Sequence, residues 1–504
     1  MAISKAVSET LKIYLALGGG GLALAWRFIP APWARRILAA LVLVASVGYI
    51  RASTHTLTTR LDSYDVIHYY LNAKYFSELG YYDLYPAVLT ADAEAGPRWS
   101  PGPQYMASGD EGDHMAPIGE AYQRGKAVKA KFSAQRWTEF SHDFLVIRDW
   151  KKGIDADLWR QMVQDHGYNG TPAWTLQATP FVNLVPVEFL KVLAYLDVAL
   201  LAAALGAVIW AYDLDAALFV ALFLFTTYST RWPIIGTALF RYDYVSAMII
   251  AMCCLKRGRH FAAGLFGGWA GALRLFPAAW MFGPGFKGLF GLTRRELSRP
   301  LLRLAGGFFL AAALLQGGSA LLLGTEALAT HSRDIKQHTS AEELSSRRAG
   351  LALALPFRGD LEPKNISRRI KQDVEDQRRL RLAIGGAFLL LLAWGLRRSD
   401  DDEAYAFGFA PFFVLATASY YYYVTRATLI LAHAARRDSW RHATGLAMLF
   451  AIDAFSNWTE VNRPGHRVYL IGWLGWMLVV YLLVMTAWLL WEGRRRQPDT
   501  ITIP

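Results

Sequence analysis

The chain has 504 residues, 54% hydrophobic, 14% aromatic and only 19% charged, with 53 Lys and Arg against 41 Asp and Glu for a net charge of +12. Charges that sparse, gathered in bursts between uncharged tracts such as 304–325, 404–425 and 468–491, exclude a soluble globular enzyme, a disordered chain and a fibrous repeat. The basic excess does not point to nucleic acid: it sits beside the apolar tracts, at Arg35-Arg36, Lys256-Arg257, Arg294-Arg295, Arg397-Arg398, Arg436-Arg437 and Arg494-Arg495-Arg496, the pattern that orients helices in a bilayer.

In chain order, residues 13–26 form a short apolar stretch interrupted by Gly18-Gly19-Gly20-Gly21. Four glycines make a poor spanning helix, so an interfacial or partly inserted helix is expected there. Residues 37–50 read as the first span, and together these make an N-terminal region of residues 1–50. A hydrophilic segment follows at residues 51–183, too long for an ordinary connection, with a surface helix expected at 150–166. Spans are then expected at 189–210, 216–230 and 242–255 within a region running from 184 to 324. Residues 261–286 are basic at both ends and divided by Arg274 and Pro277. Neither half spans alone, so this stretch reads as a re-entrant pair of half-helices, a conformation tolerated only where protein or water surrounds it. Residues 301–323 cross next, a second hydrophilic loop occupies 325–381, and residues 382–504 carry the remaining spans, including 404–419, and the tail.

The fold class expected is an all-α polytopic membrane protein, a bundle of about 10–13 transmembrane or re-entrant helices with a large external first loop. Alternation of the basic flanks places 51–183 and 325–381 outside, in a bacterial inner membrane or plasma membrane. Cys253 and Cys254 are adjacent within an apolar tract, so neither a disulfide nor a metal site is expected of them.

Several residues carry possible chemistry. Asp62 and Asp65 stand just beyond the first span, with His68 and Tyr69 one turn after Asp65. A carboxylate at a membrane surface walled by aromatic rings suits a general base; the plainer alternative is that either aspartate caps the helix that follows. Arg274, inside an apolar re-entrant segment, calls for an anion, and phosphate matches its fork of donors. The alternatives are snorkelling or pairing with a buried acid such as Asp197 or Asp243. Arg241 and Asp243 sit at the mouth of a span, where a local ion pair is the plainer reading for Arg241. His331, Asp334 and His338 share one helical face; a solvated face or a hydrogen-bonding role suits them better than metal ligation. Tyr422 and Tyr423, within the Tyr420–Tyr423 run, and Trp232 suit an interfacial belt or a groove for sugar or lipid.

The order of these motifs resembles the GT-C superfamily, most closely glycosyltransferase family 87, which includes polyprenyl-phosphomannose-dependent mannosyltransferases. The likeness rests on Asp65-Val66-Ile67-His68-Tyr69-Tyr70, Gly80-Tyr81-Tyr82-Asp83-Leu84-Tyr85, Lys256-Arg257-Gly258-Arg259, Ala263-Gly264-Leu265 and Arg274-Leu275-Phe276-Pro277. It departs from the family pattern at Arg241-Tyr242-Asp243, where Gly-Gln is usual, at Arg274, where Lys is usual, and at Ser419-Tyr420-Tyr421-Tyr422-Tyr423. The resemblance implies an inverting transfer of sugar from a polyprenyl-phosphate donor to a lipid or glycan acceptor outside the membrane. Asp65 would be the base, with Asp62 in support. Arg274, His338, Arg241 and His331 would hold the donor phosphate, and His68, Tyr69, Asp243, Tyr422 and Tyr423 would contact substrate. It implies no metal and no other cofactor. The alternative from another class is a transporter or flippase for a lipid-linked or anionic substrate, with Arg274, Asp197 and Lys191 along its path.

Overall fold

The computed structural model describes residues 3–110, 112–150, 153–293, 298–338, 344–359, 361 and 366–495. Its regular structure is almost wholly helical. Among the described residues only two short antiparallel ladders break the pattern, Gln104–Ala107 with His114–Pro117 and Arg348–Ala349 with Ala418–Ser419. Among the described residues, five helices are long and apolar enough to cross a membrane: Ala31–Tyr49, Val187–Ala211, Arg299–Leu323, Arg378–Leu396 and Arg467–Arg494. Large apolar side chains stand outward on them, with Leu314, Leu321 and Leu390 exposed at 65%, 86% and 63%. Water penalises such a surface and hydrocarbon does not. The molecule is thus a predominantly helical protein suited to a lipid bilayer.

The N-terminal stretch is helical through its glycines. Lys5–Ala25 is one continuous helix packed against Trp440–Asn462 and Ala31–Tyr49. The glycines that weaken it as an isolated helix let it approach its neighbours. A Cβ on Gly19 would stand 2.7 Å from Leu222, and one on Gly20 would stand 3.4 Å from the Ala447 backbone. Packing of this kind replaces the hydrophobic drive that lipid cannot supply. The Ile3 N–H donates to the Arg51 carbonyl, so the start of this helix lies beside the exit of Ala31–Tyr49.

The helix around Arg274 is broken in two. His260–Arg274 ends at Leu275, whose φ is +57°, and a 3-10 turn at Phe276–Met281 leads into Phe282–Thr293. His260–Arg274 crosses Arg299–Leu323 at close range, because a Cβ on Gly264 or Gly307 would lie 2.1 Å from the facing carbonyl oxygen. Residues 404–419, by contrast, are not one span: Asp401–Ala406 and Phe409–Leu415 are separate buried helices. The chain breaks where Gly408 presses on the Trp280 backbone, a Cβ there meeting Trp280 Cα at 2.2 Å. The surface helix expected at 150–166 is shorter, Ala156–Val163.

Residues 51–183 fold around their own core, including Tyr70, Phe140, Phe144, Trp159 and Trp174, which continues into Leu190 and Leu273 of the bundle. The opposite end of the bundle is closed by ion pairs: Arg35 with Asp215, Arg437 with Asp213 and Asp215, Arg436 with Asp400 and Asp402, and Lys287 with Asp401. Arg398 joins the same end through the Gly493 carbonyl. The expected basic clusters therefore gather at one end, apart from Arg294-Arg295 and Arg496, which lie outside the described residues.

Candidate functional site

Asp62 and Asp65 take different roles. Asp62 caps the helix Ser63–Val66, its carboxylate accepting the Asp65 N–H at 3.1 Å. Capping explains Asp62 and leaves Asp65 unexplained. Asp65, in the first turn, is only 1% exposed, and neither of its carboxylate oxygens receives a hydrogen bond. Arg241 Nε stands 3.1 Å from one of them, off the hydrogen-bonding direction, so the contact is coulombic. Burial pushes the Asp65 carboxyl up to about 7, against the pull of Arg241 and Arg274 and with a further push from Asp62. A carboxyl poised there exchanges protons at neutral pH.

Arg241 thus pairs with an acid far away in sequence, not with Asp243 in a local ion pair. Asp197 accepts the backbone N–H groups of Arg241 and Tyr242 at 2.9 and 3.0 Å, anchoring the segment that carries the guanidinium. The side chain is held among aromatic faces, 4.7 Å from the Tyr69 ring centre and 5.5 Å from that of Tyr421.

Arg274 is buried at 8% exposure, and among the described residues no carboxylate forms an ion pair with it. Its Nη2 donates weakly to the Phe240 carbonyl at 3.4 Å, and its Nε has no partner. The two acids expected as alternatives are engaged elsewhere. Asp197 holds backbone, as above, and Asp243 accepts from Gln177 Nε2 at 2.8 Å and from the Tyr244 N–H at 2.7 Å. Phe240, before Arg241, and Leu275, after Arg274, both have positive φ, +47° and +57°. Left-handed backbone at a bulky residue costs on the order of 1 kcal/mol or more and persists where the surroundings impose it. Both arginines are therefore aimed by strained neighbours.

Arg241 and Arg274 face one small gap of about 10 Å³, walled by Trp232, Tyr244, Tyr421 and Tyr422. It has room for at most a single water. Beyond Trp232 and Tyr421 lies a much larger cavity of about 640 Å³, onto which Asp62 and Tyr64 open and Asp65 does not.

The remaining expected residues divide. Tyr69 belongs to the site through its ring, while its hydroxyl donates to Asn169 at 2.5 Å. Tyr422 lines the gap. His68 is a buried structural residue between the Tyr64 carbonyl (2.6 Å) and the Tyr85 hydroxyl (2.7 Å), with burial lowering its pKa. Tyr423 points into the core against Phe409 and Phe412, away from the gap. His331 stacks on Tyr81 and its helix neighbour Asp334 accepts from Tyr82 at 3.1 Å, so this face docks on the 51–183 region and not on the arginines. His338 ends the same helix, and its side chain lies outside the described residues. Among the described residues no cluster of His, Cys, Asp and Glu could hold a metal ion. Tyr421, from the Tyr420–Tyr423 run, walls the gap together with Tyr244. The sequence carries no local signal for Tyr244 in that place or for Asp197 as the Arg241 anchor.

The arrangement joins a buried, unsatisfied carboxyl to two guanidinium groups that lack a full set of acceptors. Such a site can take a proton from a hydroxyl and hold an anionic oxygen cluster beside it. Compared with known proteins, the chain matches no family model, no curated protein and no solved structure.

Proposed function

We propose that the protein is an integral-membrane, inverting glycosyltransferase that moves a sugar from a polyprenyl-phosphate donor to an acceptor hydroxyl. The carrying observation is Asp65, buried without a hydrogen-bond donor and set against Arg241 beside Arg274. Its bundle crosses the membrane repeatedly, with the site at the external or periplasmic end. The donor phosphate enters the gap between Arg241 and Arg274, parting the wall of Trp232, Tyr421 and Tyr422. Arg241 then serves the phosphate, which frees the Asp65 carboxylate. Asp65 accepts the acceptor's hydroxyl proton, the resulting oxygen bonds to the anomeric carbon, and the carbon–oxygen bond to phosphate breaks with its electron pair left on phosphate. Arg274 and Arg241 stabilise that charge where it grows. The aromatic cage excludes water, which limits hydrolysis of the donor.

A transport reading has less to rest on. Lys191 donates to the carbonyls of Thr56, Arg60 and Gly236, and Asp197 accepts two backbone N–H groups, so both brace loops where a path would need them free.

The test is transfer from a panel of synthetic polyprenyl-phosphate sugars to cell-envelope glycolipids, using protein purified into lipid nanodiscs. Transfer by the wild type and its loss in Asp65→Asn are the supporting results. A wild type inert towards the whole panel, or an Asp65→Asn variant that keeps its turnover, would falsify the assignment.

A further inference from the structure

The large cavity beside the site is basic far beyond what the fold requires. Seven Lys and Arg side chains line it against two acids, Glu9 and Asp62. Glu9 is engaged by Lys12 at 3.3 Å, and Asp62 is engaged in capping. Arg231 is satisfied by Glu460 from outside the lining. That leaves Lys5, Arg51, Arg60, Arg347 and Arg467, none of which forms an ion pair among the described residues. These cations come from the N-terminal helix, the exit of the second helix, the loop before Ser63, the 344–359 segment and the start of the last helix. Five stretches far apart in sequence therefore turn like charges towards one space.

Such convergence is unfavourable without a counter-charge. Burial and the neighbouring Arg60 both push Arg51 below the usual arginine range. Arg51 and Ala52 also hold left-handed backbone, φ +55° and +49°, at the cavity rim. Apart from Phe240 and Leu275, no other non-glycine residue among the described ones does so. The Ser63 hydroxyl, on the same wall, is buried without a partner. The wall is aromatic as well, through Tyr49, Tyr64, Tyr228, Trp232, Tyr420 and Tyr421. Flat apolar faces suit the C–H faces of sugar rings, and about 640 Å³ falls within the range of a small-ligand site.

We infer that this cavity binds an acidic saccharide, one or two sugar units bearing phosphate or carboxylate, and presents its hydroxyl towards the Asp65 site through the Trp232–Tyr421 wall. The basic rim takes the anionic group and the tyrosines take the rings. The part played by the saccharide as acceptor rests on the glycosyl-transfer reading; its binding does not.

The experiment measures equilibrium binding to the full-length protein in nanodiscs, with glucose 1-phosphate, glucuronic acid disaccharide, an uncharged disaccharide and inorganic phosphate as probes. One of the acidic sugars should bind at least about tenfold tighter than both the uncharged disaccharide and inorganic phosphate, and the preferred one distinguishes phosphate from carboxylate. Raising salt should weaken it. The Arg51→Gln/Arg60→Gln double variant should lose at least about tenfold in affinity, while Arg51→Lys/Arg60→Lys should keep most of it by keeping the charge. An uncharged disaccharide that binds as tightly overturns the inference, as does phosphate binding as tightly as the acidic sugars. So does unchanged affinity in the Gln variant with an unchanged melting temperature. If the Gln variant fails to fold, the probe ranking and salt dependence of the wild type decide alone. Asp65→Asn should bind the acidic sugar normally. Binding without any transfer would remove the transfer reading and leave this site, whereas transfer to an uncharged acceptor without acidic-sugar binding would do the reverse.

Discussion

The two ends of the helical bundle handle charge in opposite ways. At the closed end acids and bases are matched: Arg35 grips Asp215 with Nε at 2.6 Å and Nη2 at 3.1 Å, and Arg436 reaches Asp400 and Asp402 at 2.8 and 2.9 Å. Hydrogen-bonded pairing of that geometry fixes helix ends against one another. At the other end Asp65, Arg241 and Arg274 are brought together, yet buried polar atoms are left over on Asp65 and Arg274, and the adjoining cavity carries seven cations against two acids. Burying such groups unsatisfied costs free energy. A fold that pairs the buried acids of one end so closely has the means to do the same at the other; the end where Asp65 is left without a donor marks the place where something else completes the charge.

The comparison is broken most sharply at Asp65. Asp65→Asn keeps the size of the side chain but cannot take a proton at neutral pH. Transfer should fall at least about a hundredfold with donor binding retained. Because Asp65 makes no cap, its melting temperature should hold or rise once the buried charge is gone. A large loss of stability with normal turnover in the surviving fraction would make Asp65 structural.

The matched end should give the reverse result. Asp215 is 3% exposed at its side chain and serves both Arg35 and Arg437. Asp215→Ala should cost about 1–3 kcal/mol of stability, read as a lower melting temperature, and leave the turnover of folded protein unchanged. Lost turnover without lost stability would end the division of labour between the two ends.

Next in size is Arg274. Arg274→Ala should weaken donor binding by about tenfold or more and leave acceptor binding close to wild type, with Arg274→Lys restoring part of the loss through charge without the fork. Equal donor affinity in wild type and Arg274→Ala would remove the phosphate role.

The smallest expected effect is the most diagnostic. A base must be ionised, and the Asp65 carboxyl sits at about 7, so transfer should rise as pH climbs through about 7 and fall away below it. Arg241 draws that value down. Arg241→Gln should therefore move the acid limb of the pH–rate profile to higher pH, beyond its effect on donor binding. A limb that stays in place would mean that Asp65 does not titrate in turnover.

The helical, membrane-suited character of the chain is legible in the sequence. Long uncharged tracts favour helices of spanning length, since a helix satisfies its own backbone in lipid, and Arg299–Leu323 and Arg467–Arg494 follow, whereas the tract at 404–425 breaks into shorter pieces. The break at Arg274 and Pro277 was equally plain, as a cation and a proline interrupt an apolar run. Asp65 and Arg274 were each recognisable as groups in need of a partner. What sequence order alone left open was partnership, because coulombic and packing contacts depend on distance in space. Arg241 answers to Asp65, Asp197 anchors Arg241, and the N-terminal glycines meet Leu222 and Ala447. The difference between Asp62 and Asp65, three residues apart and of the same type, arises only when folding turns one towards a backbone N–H and the open cavity and buries the other against Arg241.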